Sequence, residues 1–174
     1  LLMTINYRVD IIMLEGKVPL EKIGIYSLAV SLADKVWLIP DALKEILLSK
    51  LTKGKDAHEV AKVIRISIFC TFMACLMFVI FGKIMVAILF GKQFVSAYGI
   101  MLILLLGVFH MIFYKMIYQY NVSYVYKMAN FSILLIAAVL NIMLNIILIP
   151  YMGVLGAAWA SVFSYVLSGF LFVL

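Results

Sequence analysis

Charged residues are scarce in this chain of 174 residues. Asp, Glu, Lys and Arg make up 13% of it, about half the usual share. In contrast, 67% of the residues are hydrophobic and the mean hydropathy is +1.21. A soluble domain of this size must cover its core with polar surface, and this composition cannot supply that cover. Because lipid solvates apolar surface, the composition predicts a membrane protein.

Cysteines are few and catalytic motifs are missing. Cys70 and Cys75 lie five residues apart in an apolar run, so they point to different sides of a helix and indicate neither a metal site nor a disulfide. The sequence has no glycine-rich phosphate loop and no GxSxG, HExxH or CxxC motif. We therefore expect no cofactor, no metal and no enzymatic activity.

The start of the chain lacks the pattern of a signal peptide. Leu1 lies inside an apolar run, with no basic start and no small-residue cleavage site. As a helix, residues 1–14 would span only about 21 Å, short of the roughly 30 Å of a bilayer core. We therefore expect a truncated first helix whose missing turns lie upstream.

Hydrophobic segments predict six membrane helices, at residues 1–14, 23–51, 60–81, 97–120, 130–149 and 153–174. The apolar insert over 84–90 is too short to span and predicts an interfacial turn. Pro150 predicts the end of the fifth helix and Gly153 a tight turn into the sixth. The expected fold class is all-α, a polytopic transmembrane helix bundle. No link is long enough for a domain outside the membrane.

Lysine and arginine are distributed unequally between the two ends of this bundle. One end has the lysines at 17, 22, 83 and 92, and the other has those at 50, 53, 55, 62, 115 and 127 together with Arg65. Since cytoplasmic loops carry the excess of basic residues, the second end is predicted to face the cytoplasm. We interpret the net charge of +6 as this topology signal, and not as a site for nucleic acid or lipid.

Charged residues inside the first apolar run are functional candidates, because burying a charge in lipid is costly. Arg8 and Asp10 are two residues apart, so they do not share a helix face. The guanidinium of Arg8 suits an anionic substrate group such as a pyrophosphate. A structural salt bridge, for example to Asp34, is the alternative, and the sequence favours neither.

A polar stripe follows the second predicted helix. Its members lie within roughly 80° of one another at 100° per residue, and they are Ser27, Ser31, Asp34, Leu38, Asp41, Glu45 and Ser49. Lys35 and Lys44 flank the stripe, and Pro40 predicts a bend within it. The stripe predicts a water-filled path or a polar helix interface. Asp34 is favoured as a cavity residue, whereas Asp41 and Glu45 have the alternative of solvation at the cytoplasmic mouth.

His110 lies deep in the fourth predicted helix. A histidine at this depth has two interpretations, a proton carrier or a hydrogen-bonding group to a neighbouring helix, and the second is the more common. In the last two helices, Asn141 and Asn145 share a face opposite a surface of small residues. We interpret this arrangement as helix packing.

Five phrases of the sequence resemble one transporter family. Residues 8–14 and 24–29 look like the seventh helix of polysaccharide flippases and the segment after it. The remaining phrases are similar to the link between helices nine and ten, to helix eleven and to the start of helix twelve, and they are residues 89–98, 140–150 and 153–161. In this order they resemble the O-antigen and capsule flippase branch of the multidrug/oligosaccharidyl-lipid/polysaccharide exporter superfamily.

The resemblance implies one six-helix lobe, the C-terminal one, of a two-lobe transporter. Its partners are then an N-terminal six-helix lobe and membrane lipids, and its substrate is a polyprenyl-pyrophosphate-linked oligosaccharide. The substrate is flipped across the cytoplasmic (inner) membrane by alternating access, in polysaccharide or lipopolysaccharide biosynthesis. Basic residues line the central cavity of the family, which implies that Arg8 and Lys35 face the substrate. The coupling ion varies in the family and is not carried over.

Three alternatives stay open. An ion-coupled multidrug or small-molecule exporter of the same superfamily makes Asp34 the essential residue. A membrane-embedded enzyme such as a sugar polymerase needs a long outer loop, and the outer links here are short. A non-transporting assembly subunit uses the polar stripe as a helix interface, so that neutralising its charges harms folding and not transport.

Overall fold

The computed structural model describes residues 9–53, 57–123 and 127–173, and all regular secondary structure in these ranges is helical. We name the helices α1 (residues 9–14), α2 (Leu20–Asp34), α3 (Leu38–Thr52), α4 (Ala57–Leu89), α5 (Ser96–Ser123), α6 (Lys127–Met152) and α7 (Val154–Val173). Short 3-10 turns lie at Lys35–Trp37 and Lys92–Phe94. The predicted all-α fold class is confirmed.

Five segments in the described ranges are long and apolar enough to cross a membrane. They are Leu20–Thr52, His58–Leu89, Ser96–Met116, Asn130–Met152 and Val154–Leu171. The protein is therefore a multi-pass membrane protein. The first of these spans joins α2 and α3 through the 3-10 turn, so we treat the two helices as one membrane-crossing unit.

Helix α5 lies at the centre of the bundle and packs against α2, α3, α4 and α7. The indole Nε1 of Trp37 lies 3.3 Å from the carbonyl oxygen of Val108, which fixes α2–α3 beside α5. Contacts along α5 show that α2–α3 and α7 run parallel to it. Because α4 and α6 return the chain in the opposite direction, the bundle has an α3–α4 end and an α1–α2 end.

The junction between α2 and α3 is shaped by Pro40. Proline has no N–H to donate to the carbonyl of Val36, and its ring crowds that carbonyl. The backbone immediately before it tightens into the 3-10 turn at Lys35–Trp37. At the place where Pro40 predicted a bend, the structure has a local change of helix type, with α3 continuing beyond it to Thr52.

Two predicted helix ends differ from the structure. Helix α4 continues to Leu89, so the interfacial turn predicted over 84–90 is mostly helix, because nothing in that apolar run interrupts the backbone hydrogen bonds. Helix α6 passes through Pro150 to Met152. Its turn comes at Gly153, whose φ of 56° needs glycine and whose N–H donates to the carbonyl of Ile149 at 2.8 Å.

Glycines permit the closest approach between α5 and α7. A Cβ on Gly169 would lie 2.6 Å from the carbonyl oxygen of His110, and one on Gly107 would lie 3.0 Å from the Cα of Val162. The first distance is too short for a side chain, and the second is tighter than an ordinary Cβ contact, so that the neighbouring backbone would have to shift. These two positions therefore set the spacing of the two helices, as small residues do in membrane helix pairs.

Candidate functional site

One exposed face of α2–α3 differs from the rest of the molecular surface. We call it the polar face, and its residues are Gly24, Ser27, Ser31, Lys35, Leu38, Ala42, Glu45 and Ser49. All are exposed apart from Ser27, which is half-buried. The opposite side of the same helices is buried against the bundle by residues such as Tyr26, Ala29 and Ala33. Most of the predicted polar stripe is therefore on the outside of this chain.

The polar face crosses the middle of the membrane-spanning region. The hydrogen bond from Trp37 to Val108 puts the two residues at the same depth. Val108 lies near the centre of the α5 span, Ser96–Met116. Lys35 and Leu38, on either side of Trp37, are therefore close to the bilayer midplane.

The exposed face of α4 has the opposite chemistry. Over most of its length it presents large apolar side chains, which include Ile66, Phe69, Phe72, Leu76, Met77, Ile80 and Ile84. Such a face suits acyl chains. Serine, lysine and glutamate at the same depth do not suit them, because polar groups in hydrocarbon need a partner or water. The polar face consequently requires water or another protein chain against it.

Asp41 lies beside the polar face, in a charged cluster that joins α3 to α5. Its Oδ1 accepts from Lys115 Nζ at 2.8 Å and from Lys44 Nζ at 3.1 Å. Lys115 Nζ also lies 4.8 Å from the ring centroid of Trp37, in cation–π geometry. Asp41, predicted as a cavity candidate, is thus engaged in holding two helices together.

Lys115 is a participant that sequence reasoning missed. In the sequence it contributes only to the count of basic residues at one end, and its partner Asp41 is 74 positions away. No local pattern joins two residues so far apart. Only the packing of α3 on α5 brings them within an ion pair.

Asp10 lies inside the bundle and not on the polar face. Its side chain is 2% exposed, and its Oδ2 accepts from the hydroxyls of Tyr26 and Ser161, the second at 3.2 Å. The N–H of Ile11 donates to its Oδ1 at 2.9 Å. Asp10 therefore ties α1 to α2 and α7. The other candidate of this segment, Arg8, lies outside the described residues.

The polar contacts around Asp10 continue into α6 and α7. The Nδ2 of Asn145 donates to Asn141 at 3.0 Å, and the Nδ2 of Asn141 donates to Ser164 Oγ at 3.3 Å. Ser164 in turn donates to the carbonyl of Ser161 at 2.9 Å. These contacts fit the predicted packing role of the asparagines.

No protein-family model, curated protein or solved structure matches this chain. The resemblance to flippases is therefore a prediction carried by the sequence phrases given above.

The remaining candidates separate into two places. Lys35 is exposed on the polar face, and Asp34, one residue earlier, is half-buried at its margin. His110 is exposed about 200° around α5 from Val108, which itself faces α2–α3. Its Nδ1 lies 2.8 Å from the carbonyl oxygen of Leu106 on the same helix, not on a neighbouring one. His110 therefore belongs to a different surface from Lys35.

The structure gives no reason to place a metal on the polar face. Within the ranges described, no three side chains of His, Cys, Asp or Glu come close enough to hold a metal ion. The polar face offers hydroxyls and small side chains, with Lys35 and Leu38 at mid-depth and Glu45 nearer the α3–α4 end. This arrangement can hydrogen-bond a polar solute and attract an anionic group.

Proposed function

We propose that this chain forms one wall of a path by which a polyprenyl-pyrophosphate-linked oligosaccharide is flipped across the cytoplasmic membrane. The observation that carries the proposal is the polar face of α2–α3, which is exposed at mid-membrane depth while α4 presents apolar side chains to its surroundings. A surface of this kind is stable in a bilayer only beside water or a polar partner.

The residues of the polar face suit the head group of such a substrate. Ser27, Ser31 and Ser49 can donate to and accept from sugar hydroxyls. Lys35 supplies a positive charge near the midplane, where the pyrophosphate needs to be stabilised during its passage. The polyprenyl tail can stay in lipid throughout, so the protein needs to shield only the head group.

The charged cluster at Asp41 supports the path without lining it. By pairing with Lys115 of α5, Asp41 fixes the part of α3 that follows the 3-10 turn. The opposite wall is assigned to the N-terminal lobe that the resemblance implies. Arg8 of this chain is the suggested second cation of the path. The identity of the substrate rests on the resemblance together with Lys35, and the path rests on the polar face.

A transport assay tests the role of Lys35. The full protein is reconstituted into vesicles with a fluorescent polyprenyl-pyrophosphate oligosaccharide, and the fraction that becomes accessible in the opposite leaflet is followed over time. Lys35→Gln is expected to lower the rate at least tenfold, and Lys35→Arg to retain most of it. Lys83→Gln is the matched control, because Lys83 is an exposed lysine of α4 away from the polar face.

The outcomes separate the proposal from its nearest rival. Equal rates for wild type and Lys35→Gln, at equal protein levels, contradict a role for this cation. Loss of transport of a small cationic drug in Asp34→Asn, with normal activity in Lys35→Gln, favours the ion-coupled exporter.

Thiol accessibility tests the path without any substrate. The native thiols are removed as Cys70→Ala and Cys75→Ala, and single cysteines are introduced as Ser31→Cys or Met77→Cys. A membrane-impermeant maleimide is expected to label Ser31→Cys in intact membranes and to leave Met77→Cys unlabelled. Equal protection of both positions contradicts a water-filled path.

One observation favours a second candidate function, that of an assembly subunit. Gly24, Ser27, Ser31 and Ala42 are small, and a row of small residues also permits close packing of another helix. In that case Ser31→Cys is protected in the membrane and becomes reactive only after detergent separates the partner. The same labelling experiment therefore distinguishes the two functions.

A further inference from the structure

Three basic residues at the α3–α4 end, Lys44, Lys50 and Lys115, are ion-paired in the structure. Lys44 and Lys115 share Asp41. Lys50 of α3 pairs with Glu59, so this acid in the first turn of α4 is also engaged. The positive charge that remains for a partner is smaller and better localised than the lysine count of the sequence suggests.

Lys62 and Arg65 of α4 are the cations left on the outer side of this end. Both side chains are exposed, and in the ranges described neither has an ion pair. They are three residues apart, so they lie on the same side of the helix. Lys53 is exposed as well, but it lies at the end of α3.

The face of α4 that carries these cations changes from basic to apolar within about one helical turn. Ile66 follows Lys62 by four residues and Phe69 follows Arg65 by four, so all four side chains share this face. Ile66 is 44% exposed and Phe69 is 63% exposed. A basic pair thus adjoins an apolar surface that continues along the helix.

The length of that apolar surface matches a bilayer. Exposed apolar residues of α4 extend from Ile66 to Leu89, with the exposed Lys83 among them towards the far end. This range is about 35 Å of helix, close to the roughly 30 Å of a hydrocarbon core. The boundary of the hydrocarbon at the α3–α4 end therefore falls near Ile66. Long Lys and Arg side chains at that boundary reach the level of the lipid phosphates.

We propose that Lys62 and Arg65 bind the phosphate of an anionic phospholipid in the leaflet at the α3–α4 end. The acyl chains of this lipid lie along Ile66, Phe69 and Phe72. Two adjacent cations attract an anionic head group more strongly than a zwitterionic one, and the apolar surface beneath them retains the lipid. A soluble phosphate would be attracted by the two cations but would gain nothing from the apolar surface. Lipid binding would be a role of these two cations in addition to setting the topology, and it does not depend on the proposed function.

Native mass spectrometry of the purified full protein in detergent tests this site. The protein is titrated with phosphatidylglycerol or phosphatidylcholine, and the fraction carrying one lipid gives the affinity. Each cation near a lipid phosphate is worth about fivefold in affinity, so the double variant Lys62→Gln/Arg65→Gln is expected to bind phosphatidylglycerol about 5- to 25-fold more weakly. Binding of phosphatidylcholine is expected to change less than twofold.

The matched control removes the same charge elsewhere. Lys83→Gln/Lys92→Gln neutralises two exposed lysines nearer the α1–α2 end and is expected to leave phosphatidylglycerol affinity within twofold of wild type. The charge-conserving variant Lys62→Arg/Arg65→Lys is expected to retain binding, which shows that the two charges are what the lipid requires. Unchanged phosphatidylcholine binding by the neutralised double variant shows that its loss of phosphatidylglycerol binding is not a folding defect.

Three results overturn the proposal. Equal losses in both neutralised pairs indicate attraction by net charge alone. Displacement of the lipid by millimolar inorganic phosphate indicates a site for a soluble anion. Equal wild-type affinity for phosphatidylglycerol and phosphatidylcholine indicates that the cations do not select the lipid.

Discussion

Two exposed helix faces in this protein cross the same depth of membrane and differ in chemistry. The unit α2–α3 and the helix α4 are each 33 residues long, and each packs on α5 with one side and exposes the other. Helix α4 exposes phenylalanine, isoleucine and methionine, whereas α2–α3 exposes serine, lysine, glutamate and small residues together with Leu38 and Ile46. Two units of equal length that both pack on α5 therefore differ in what their exposed faces can contact.

The difference identifies which side of the bundle suits lipid. Apolar side chains lose nothing by contacting acyl chains, so the exposed face of α4 is stable in a bilayer without a further partner. The polar face of α2–α3 is stable in a bilayer only when water or another chain lies against it. The opposite side of α2 is buried, with Tyr26, Ala29 and Ala33 at most 1% exposed.

Arginine substitutions on the two exposed faces are expected to give the largest difference in stability. Met77 lies on α4 between Phe72, which packs on Phe109 near the depth of Leu38, and Gly82, which packs on Met101. It is about 8 Å along the helix from Phe72 and still in the central part of the span. Met77→Arg is expected to destabilise the protein in a bilayer by about 2.5–3.5 kcal/mol, the cost of a charge at the centre of a membrane helix.

Leu38→Arg is expected to cost less than about 1 kcal/mol, since a wet face leaves the charge hydrated. Stability is measured by reversible unfolding in lipid bilayers with steric trapping. Similar costs for the two substitutions contradict the distinction between the faces.

Glycine substitutions probe the two sides of the bundle with a single methyl group. Gly169→Ala is expected to cost about 1–3 kcal/mol, because its Cβ would lie 2.6 Å from the carbonyl oxygen of His110 and α7 would have to move. Gly24→Ala meets nothing within 4 Å and is expected to be neutral, or stabilising by up to about 1 kcal/mol through helix propensity. Unfolding in mixed micelles measures both. A destabilised Gly24→Ala variant indicates that another chain packs closely on the polar face.

The acids of α3 are expected to differ although they are four residues apart. Asp41→Asn removes the charge that pairs with Lys115 and is expected to destabilise the protein by about 1–2 kcal/mol. The value is below that of a fully buried pair because the Asp41 side chain is 37% exposed. Glu45→Gln is expected to stay within about 0.5 kcal/mol of wild type, because Glu45 is exposed. The same unfolding measurement tests this difference. Equal effects of Asp41→Asn and Glu45→Gln argue against a structural role for the ion pair.

Neighbouring hydroxyls of α2 give the smallest expected difference. Tyr26→Phe removes the hydroxyl that donates to Asp10 and is expected to cost about 1 kcal/mol. Ser27→Ala, on the polar face, is expected to change stability by less than about 0.5 kcal/mol. If Ser27→Ala is instead the more damaging change, the polar face is part of a packed interface.

The fold was largely predictable because a bilayer imposes a simple length rule on hydrophobic segments. The predicted segments over 23–51, 97–120 and 153–174 overlap the helices of the structure closely. The ends were less predictable. Pro150 was expected to stop α6, but proline in a last helical turn removes only a hydrogen bond near the helix end, and the chain turns at Gly153.

The candidate site was predictable only in part. Helical periodicity was enough to put Ser31, Lys35 and Glu45 near one face, because their angular positions depend on residue spacing alone. It did not distinguish Asp41, which pairs with Lys115, or Asp10, which is bonded to Tyr26 and Ser161. Those roles depend on partners from other helices, which no local pattern contains.

The sequence by itself determined that the protein crosses a membrane several times with helices, since a continuous apolar run of this length satisfies all its backbone hydrogen bonds in lipid by forming a helix. It also determined that one helix carries a polar stripe. The tertiary structure decided which side of that helix is covered, which charges are neutralised and which are left for a partner. The physical reason is that burial and ion pairing depend on the distances between helices, and the packing around α5 sets those distances.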